Sequence, residues 1–378
     1  MTPKPLSDAV KKGLAYLVGQ QHSGGGWSQG GGWRANPDGG RVEGPDVQDP
    51  PDVANTCAAT LALLRAGNTP RDGQHAPAVG LALDFIVGSV ERSDAESPYV
   101  TDLRGTQVQT KIGPLADTFL ASLVLSEAKG QLSDGASEAR LSAALDKVVG
   151  KLERHQQANG TWAMDGWAPV VGQSLAAAGL NRARQRGAKV TDETIERAEK
   201  YARSQYDAGT RTYGMDGSAG VPLYSAGSQM SSSSHSLYNL KAMRPHLRAT
   251  AADAGASKED RDRAAAKLKN IEEAEAAHEE SMAGSRAYTT DENFRRGFGS
   301  NGGEEFLSYL NIGEALRLKG GKEWEDWDRE MTQNMERIQN ADGSWSGHHC
   351  ITGRTFCTAA ALLVLVVDRA PRPETVIA

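Results

Sequence analysis

Four residues near the end of the chain have the types and spacing for metal chemistry. His348, His349 and Cys350 are consecutive, and Cys357 follows with Gly353 between the two cysteines. Imidazole nitrogen and thiolate sulfur are ligands of the softness that zinc takes. If the chain is helical from residue 353, Cys357 sits one turn inside the helix and Cys350 in the loop before it. Both could then face one ion with His348 or His349, and Asp52, Cys57 or His235 could complete the set. Zinc is the cofactor such a set would hold. Two readings compete with it: a Cys350–Cys357 disulfide, suited to an exported protein, and free thiols beside solvated histidines.

A second set appears when the helices rich in small residues are aligned at their starts. Polar side chains then recur near one level: Asn55 and Cys57, Asp117, Gln173, His235, Glu304 and Glu305, and Arg354 with Cys357. Backbone N–H groups at helix starts favour anions and thiolates there. Asp117, His235, Glu304 and Glu305 are the candidates for acid–base work. Gln173 and Arg354, with Trp33 from a long loop, are the candidates for ligand contact. Helix capping by the same residue types is the plainer alternative. The serines 231–234 precede His235, but no oxyanion hole or orienting acid stands in register with them.

The elements that position these residues come in pairs. An amphipathic helix leads to a Gly-rich turn, and the turn leads to a helix of Ala, Ser, Thr and Leu. The first helices are expected at Leu6–Gln21, His75–Arg92, Ser137–Gln157, Asp192–Tyr206, Lys258–Glu280 and Glu323–Asn340. The second helices start near Asp52, Gly113, Ala168, Gly227, Gly299 and Gly353. Charge on one face places the first helices against water. The second helices carry little charge and should be buried, their small side chains allowing close approach. A linear stack would need polar end caps. The last second helix, TAAALLVLVV, is the most apolar of all, so closure is favoured over an open stack. The expected fold is all-α, a single-domain (α/α)6 toroid of six hairpins over residues 1–378, with inner and outer helix rings.

The totals exclude some classes. The chain has 378 residues and a net charge of −6 with both signs interleaved, which argues against a nucleic-acid surface. No apolar run reaches the length of a membrane span. The opening MTPKPLSDAVKKGLAYLVGQQ lacks the apolar core of a signal peptide and reads as an amphipathic helix. The compartment stays open between cytoplasmic and exported with the signal removed. Residues 253–280 form a charged run with i,i+4 opposite-charge pairs, expected as a long solvated helix. The loop over residues 24–51 is too long for a simple connection, and Trp33 in it is placed to cover the mouth of a cavity.

The turns Gln157–Trp162 and Gln339–Trp345, with a relative at Gln21–Trp27, resemble the QW repeats of squalene–hopene cyclases. DGSW followed by T-A-x-A-L-x-x-L resembles the prenyltransferase and squalene-cyclase repeat in general. The resemblance implies the toroid, with Gln bonding a helix end, Trp stacking on a neighbour, and a small molecule or peptide bound in a central cavity. It spans several activities, so each is tested on residues. The DxDD acid of class II terpene cyclases is absent, and aromatics are only 6% of the chain. The Asp-x-Cys of protein prenyltransferases is absent, and only Arg354 is obviously placed for a diphosphate. The Cys-His-Gly order of lanthipeptide cyclases is reversed at His349–Cys350, and the GCGEQ-type segment of thioester domains is missing. The expectation is a metal- or acid-assisted enzyme acting on an isoprenoid-like or thiol-bearing substrate. The alternative is a non-catalytic binding or scaffold module.

Overall fold

The computed structural model describes residues 3–35, 41–44, 49–299 and 301–372. It is mostly helical, as the periodicity predicts, and all twelve expected helices are present. In chain order they are α1 (Asp8–Gly19), α2 (Val53–Arg65), α3 (Ala76–Arg92), the short α4 (Gln107–Ile112), α5 (Ala116–Ala128), α6 (Gly135–His155), α7 (Pro169–Gln185), α8 (Asp192–Ser204), α9 (Pro222–Ala252), α10 (Lys258–Thr289), the short α11 (Glu292–Arg296), α12 (Gly303–Lys319), α13 (Lys322–Arg337) and α14 (Arg354–Leu365). Two small antiparallel pairs, β1 (Gly32–Ala35) with β2 (Arg41–Gly44) and β3 (Tyr206–Asp207) with β4 (Thr212–Tyr213), and a 3-10 turn at Val367–Arg369 accompany them among the described residues.

The two helix types divide as their composition dictates. The first helices α1, α3, α6, α8, α10 and α13 bury one stripe each; in α1 it is Val10, Gly13, Leu14 and Leu17. Their charged faces meet solvent, and Ser7, Asp134 and Ser257 cap α1, α6 and α10 through side-chain oxygens. The second helices α2 and α5 are buried along their whole length, and α7, α12 and α14 nearly so. Second helix packs on second helix in the order α2, α5, α7, α9, α12, α14, and α14 packs back on α2. The greasy end that composition flags, TAAALLVLVV, is therefore covered by α1, α2, α12 and α13.

Three turns are built alike. Trp27, Trp162 and Trp345 are fully buried, and each indole N–H donates to the last turn of the preceding helix: Leu17 O at 2.7 Å, Leu152 O at 2.8 Å and Met335 O at 2.8 Å. Six residues before each Trp, a Gln amide spans to a neighbouring first helix: Gln21 to Ala78 O, Gln156 to Thr194 O, and Gln339 to Ala9 O. In the middle turn the working residue is Gln156, one position before the expected Gln157. The glycine two before each Trp has positive φ, and a Cβ there would strike backbone: 2.2 Å from Leu81 O at Gly25, 2.1 Å from Arg197 O at Gly160, 2.7 Å from Lys12 O at Gly343.

The charged run is a solvated first helix, as expected. It is longer than its composition suggests, and so is its partner. α9 and α10 have 31 and 32 residues. Their far ends share a small core of Leu237, Leu240 and Leu247 against Ala264, Ile271 and Ala274.

Candidate functional site

The starts of the second helices hold two buried carboxylate pairs. Glu304 and Glu305 lie in the first turn of α12 and are completely buried. Glu305 Oε1 accepts from Tyr224 OH at 2.5 Å and from Phe298 N at 3.0 Å, and lies 3.2 Å from His349 Nε2. Glu304 Oε2 accepts from Ile351 N at 3.2 Å. Glu304 Oε1 and Glu305 Oε2 have no hydrogen-bond partner among the described residues. Glycines permit this crowding: a Cβ on Gly297 or Gly302 would lie 2.9 or 2.6 Å from a Glu305 oxygen.

Burial and then the charge of Glu305 push the Glu304 carboxyl up to about 7. Burial would lower the His349 pKa, but the hydrogen bond and charge of Glu305 outweigh it and raise it. Tyr224 is held protonated, by burial first and by the two glutamates next. Cys350 sits in a left-handed conformation, φ 55°, with its carbonyl accepting from Gln107 Nε2 at 2.7 Å. Burial and Glu304 push its thiol up to about 12.

Outside this cluster the chain is aromatic. Phe298, 53% exposed, packs edge-on against His349 at 5.1 Å and against Trp167, 37% exposed, at 5.5 Å. Lys111 Nζ lies 5.4 Å from the Trp167 ring and 5.1 Å from that of Trp33. Trp33 is thus beside this cluster, its backbone N–H donating to Thr352 Oγ1 at 2.8 Å.

Asp52 and Asp117 form the other pair. Asp52 caps α2, accepting from Asn55 N at 2.8 Å and Asn55 Nδ2 at 2.6 Å. Asp117 accepts from Ala54 N at 2.9 Å and Gln109 Nε2 at 2.6 Å, tying α2, α4 and α5 together. Burial, then Asp117, pushes Asp52 up to about 7, and burial raises Asp117. Both oxygens of Asp117 are engaged by donors, so the capping alternative describes it. Gln173 is engaged in structure too, its Oε1 accepting from Trp162 N of the middle Trp turn at 2.9 Å. Arg354 pairs with Asp342 at 2.8 Å on the last Trp turn and contacts neither carboxylate pair.

The metal set does not assemble. Among the described residues no group of three or more His, Cys, Asp or Glu converges to hold an ion. Cys357 is fully buried and its Sγ lies 3.2 Å from Ile351 O, while His348 is exposed and His349 is turned to Glu305. Burial and the neighbouring acids raise the Cys57 and Cys357 thiols far above their ordinary range. Cys57, Cys350 and Cys357 are all free, so the disulfide alternative falls too.

His235 is also misplaced by the alignment. α9 begins at Pro222, so His235 lies more than three turns in, roughly 20 Å along the helix from its start at 1.5 Å per residue. Its Nε2 contacts Glu314 Oε2 at 3.1 Å instead. The serine run does meet a histidine, but it is Ser233 Oγ with His278 Nδ1 at 3.0 Å, on α10.

Glu314 belongs to a network that the starts of the helices could not disclose. Arg65, at the end of α2, donates to Glu127 Oε1 at 2.9 Å and Oε2 at 3.1 Å, and pairs with Glu314. Asn311 Nδ2 reaches from α12 to Ser174 Oγ on α7 at 2.9 Å. The cavity between these helices, lined by Leu61, Leu120, Leu175, Leu307, Phe356 and the Arg65–Glu314 pair among others, has a volume of about 20 Å³. That is room for one water. The signal was present in sequence for Arg65, the single charge at the end of an otherwise uncharged helix; Glu127 and Glu314 share α5 and α12 with other charges.

No family model matches the chain, and no match to it was found among curated proteins.

Proposed function

We propose that the chain is an α/α toroid of six hairpins, second helices inside and first helices outside, resembling the prenyltransferase and squalene-cyclase repeat. In this reading it works as a binding or scaffold module and not by processing an isoprenoid along its axis. The observation that carries this is the filled space between the second helices. A cavity of about 20 Å³, with Arg65, Asn311 and Glu314 in its lining, has no room for a C15 chain, whereas ligand pockets run to several hundred Å³. The binding face is the aromatic surface of Trp167 and Phe298 at the helix starts, where exposed large side chains cluster.

The test is direct. The purified chain is incubated with squalene and with farnesyl diphosphate, with Mg²⁺ and with Zn²⁺, then extracted and analysed by mass spectrometry. No product and no stoichiometric retention is expected. One isoprenoid per chain, or turnover lost in Glu304→Gln with helicity intact, would overturn the module reading. The second outcome would favour acid-assisted chemistry at Glu304 and Glu305. Their two unpartnered buried oxygens are the observation that keeps that reading alive.

A further inference from the structure

The ends of the second helices, opposite the carboxylate pairs, carry arginines. Arg65 is neutralised by Glu127 and Glu314. Arg182 on α7 and Arg317 on α12 have no carboxylate partner among the described residues. Arg182 is 4% exposed, yet its acceptors are neutral: Pro371 O at 2.7 Å, Arg372 O at 3.3 Å and Gln185 Oε1 at 2.7 Å. Arg317 donates to Ala370 O at 2.8 Å. The Nε of each guanidinium has no acceptor among the described residues. The carbonyls belong to a strap that follows α14 through a 3-10 turn at Val367–Arg369. Asp368, on that turn, accepts from Lys4 N at 2.7 Å.

Among the described residues neither guanidinium has a charged acceptor in direct contact, so neither makes a charge-assisted bond. Burial lowers the pKa of both arginines; the charges of Glu127 and Glu314 oppose this at Arg182 and those of Glu314 and Asp368 at Arg317, while Arg65 for each, Arg186 for Arg182 and Arg372 for Arg317 add to it. A planar oxyanion would meet the fork of each side chain, Nε included, with charge-assisted bonds about twice as strong as neutral ones. We propose that Arg182 and Arg317 form an oxyanion site for a carboxylate or phosphate group, in which the strap carbonyls of Ala370, Pro371 and Arg372 stand where the anion's oxygens bind. Anion and strap then exclude one another. The anion binds the open form and holds the strap away. This site is independent of the module reading, since it lies at the other end of the second helices.

Amide hydrogen exchange of residues 366–370 in the full chain tests it. Inorganic phosphate should speed exchange of these amides saturably, about tenfold when it stands at ten times its dissociation constant from the open form. Sodium chloride at equal ionic strength should not. In Arg182→Gln and Arg317→Gln the strap should exchange fast without phosphate and ignore it. Sodium acetate in a parallel arm separates the sources: a response to both anions marks a carboxylate site, and a response to phosphate alone marks a phosphate site. An equal effect of chloride, no effect of phosphate, or variants that respond as the parent does would each overturn the site. Should Arg182→Gln fail to fold, Arg317→Gln carries the same reading from the other helix.

Discussion

Gln339 donates its side-chain amide to the carbonyl of Ala9 at 2.9 Å, across 330 residues of chain. The same amide also reaches Gly343 O at 2.9 Å, inside its own turn. One side chain therefore closes the last Gly-rich turn and fastens it to the first helix of the chain. Gln21 and Gln156 do the same between sequential helices.

The Gln339 joint should matter more than its two hydrogen bonds suggest. Gln339→Ala loses both bonds, to the carbonyls of Ala9 and Gly343, for a cost of about 1–3 kcal/mol. Urea unfolding should show that loss as a lower midpoint. Hydrogen exchange should place the added opening in α1 and α14, which pack on each other. An equal destabilisation with no change in those two helices would reduce the joint to a local turn contact.

The glycines of the three turns give a sharper test. At Gly160 the backbone has φ 89°, and a Cβ would lie 2.1 Å from Arg197 O, which cannot move without shifting α8. Gly160→Ala combines left-handed strain with a backbone clash and should cost well over 2 kcal/mol. Gly187, with φ 77° and open space around its Cα, is the control. Gly187→Ala pays conformational strain alone, about 1 kcal/mol. Thermal unfolding of the two variants side by side separates clash from strain.

The helices were legible because the two kinds of periodicity differ: IERAEKYARSQ has one polar face, whereas VANTCAATLALL has none. The Trp turns were legible because Gly and Trp have fixed offsets there. Two features failed for identifiable reasons. Counting from Gly227 sets His235 near the level of the other helix starts, but α9 starts more than a turn earlier, at Pro222. The His–Cys set was read from proximity in sequence, whereas Cys357 turns to the Ile351 carbonyl and His349 to Glu305 on another helix. Tyr224, Phe298 and Lys111 were missed altogether, because what makes them notable is which distant segment they meet.

Stability should fall as pH rises from 4.5 to about 7. In the unfolded chain the Glu304 carboxyl ionises near its ordinary value, but in the folded chain burial holds its proton to about 7. Between those values the folded state binds more protons than the unfolded one, so raising pH favours unfolding. The contribution is fully present below pH 4.5 and lost by about pH 7, roughly 3 kcal/mol at 1.36 kcal/mol per unit. Asp52 acts in the same sense from a lower starting value. Glu304→Gln, which cannot ionise, should flatten this slope. A stability–pH curve of Glu304→Gln that overlays the parent between pH 5 and 7 would show that Glu304 ionises normally in the fold.

Glu314 should show the opposite sign, and Arg65 decides by how much. The charge of Arg65 and the His235 contact hold the Glu314 carboxyl well below its usual range, overcoming the effect of burial. Its stabilisation is present above the unfolded value and disappears as pH falls through the acid range. Arg65→Ala would strand both Glu127 and Glu314 in the core without a cation, and breaking a buried pair in this way costs about 3–5 kcal/mol. Arg65→Met with Glu127→Gln and Glu314→Gln removes the charges together and keeps the volume. It should recover much of the loss and abolish the acid-side fall in stability. Equilibrium unfolding of the single and triple variants at pH 4 and pH 7 measures both effects. A triple variant no more stable than Arg65→Ala would mean that the geometry of the network, and not its charge balance, holds α2, α5 and α12 together.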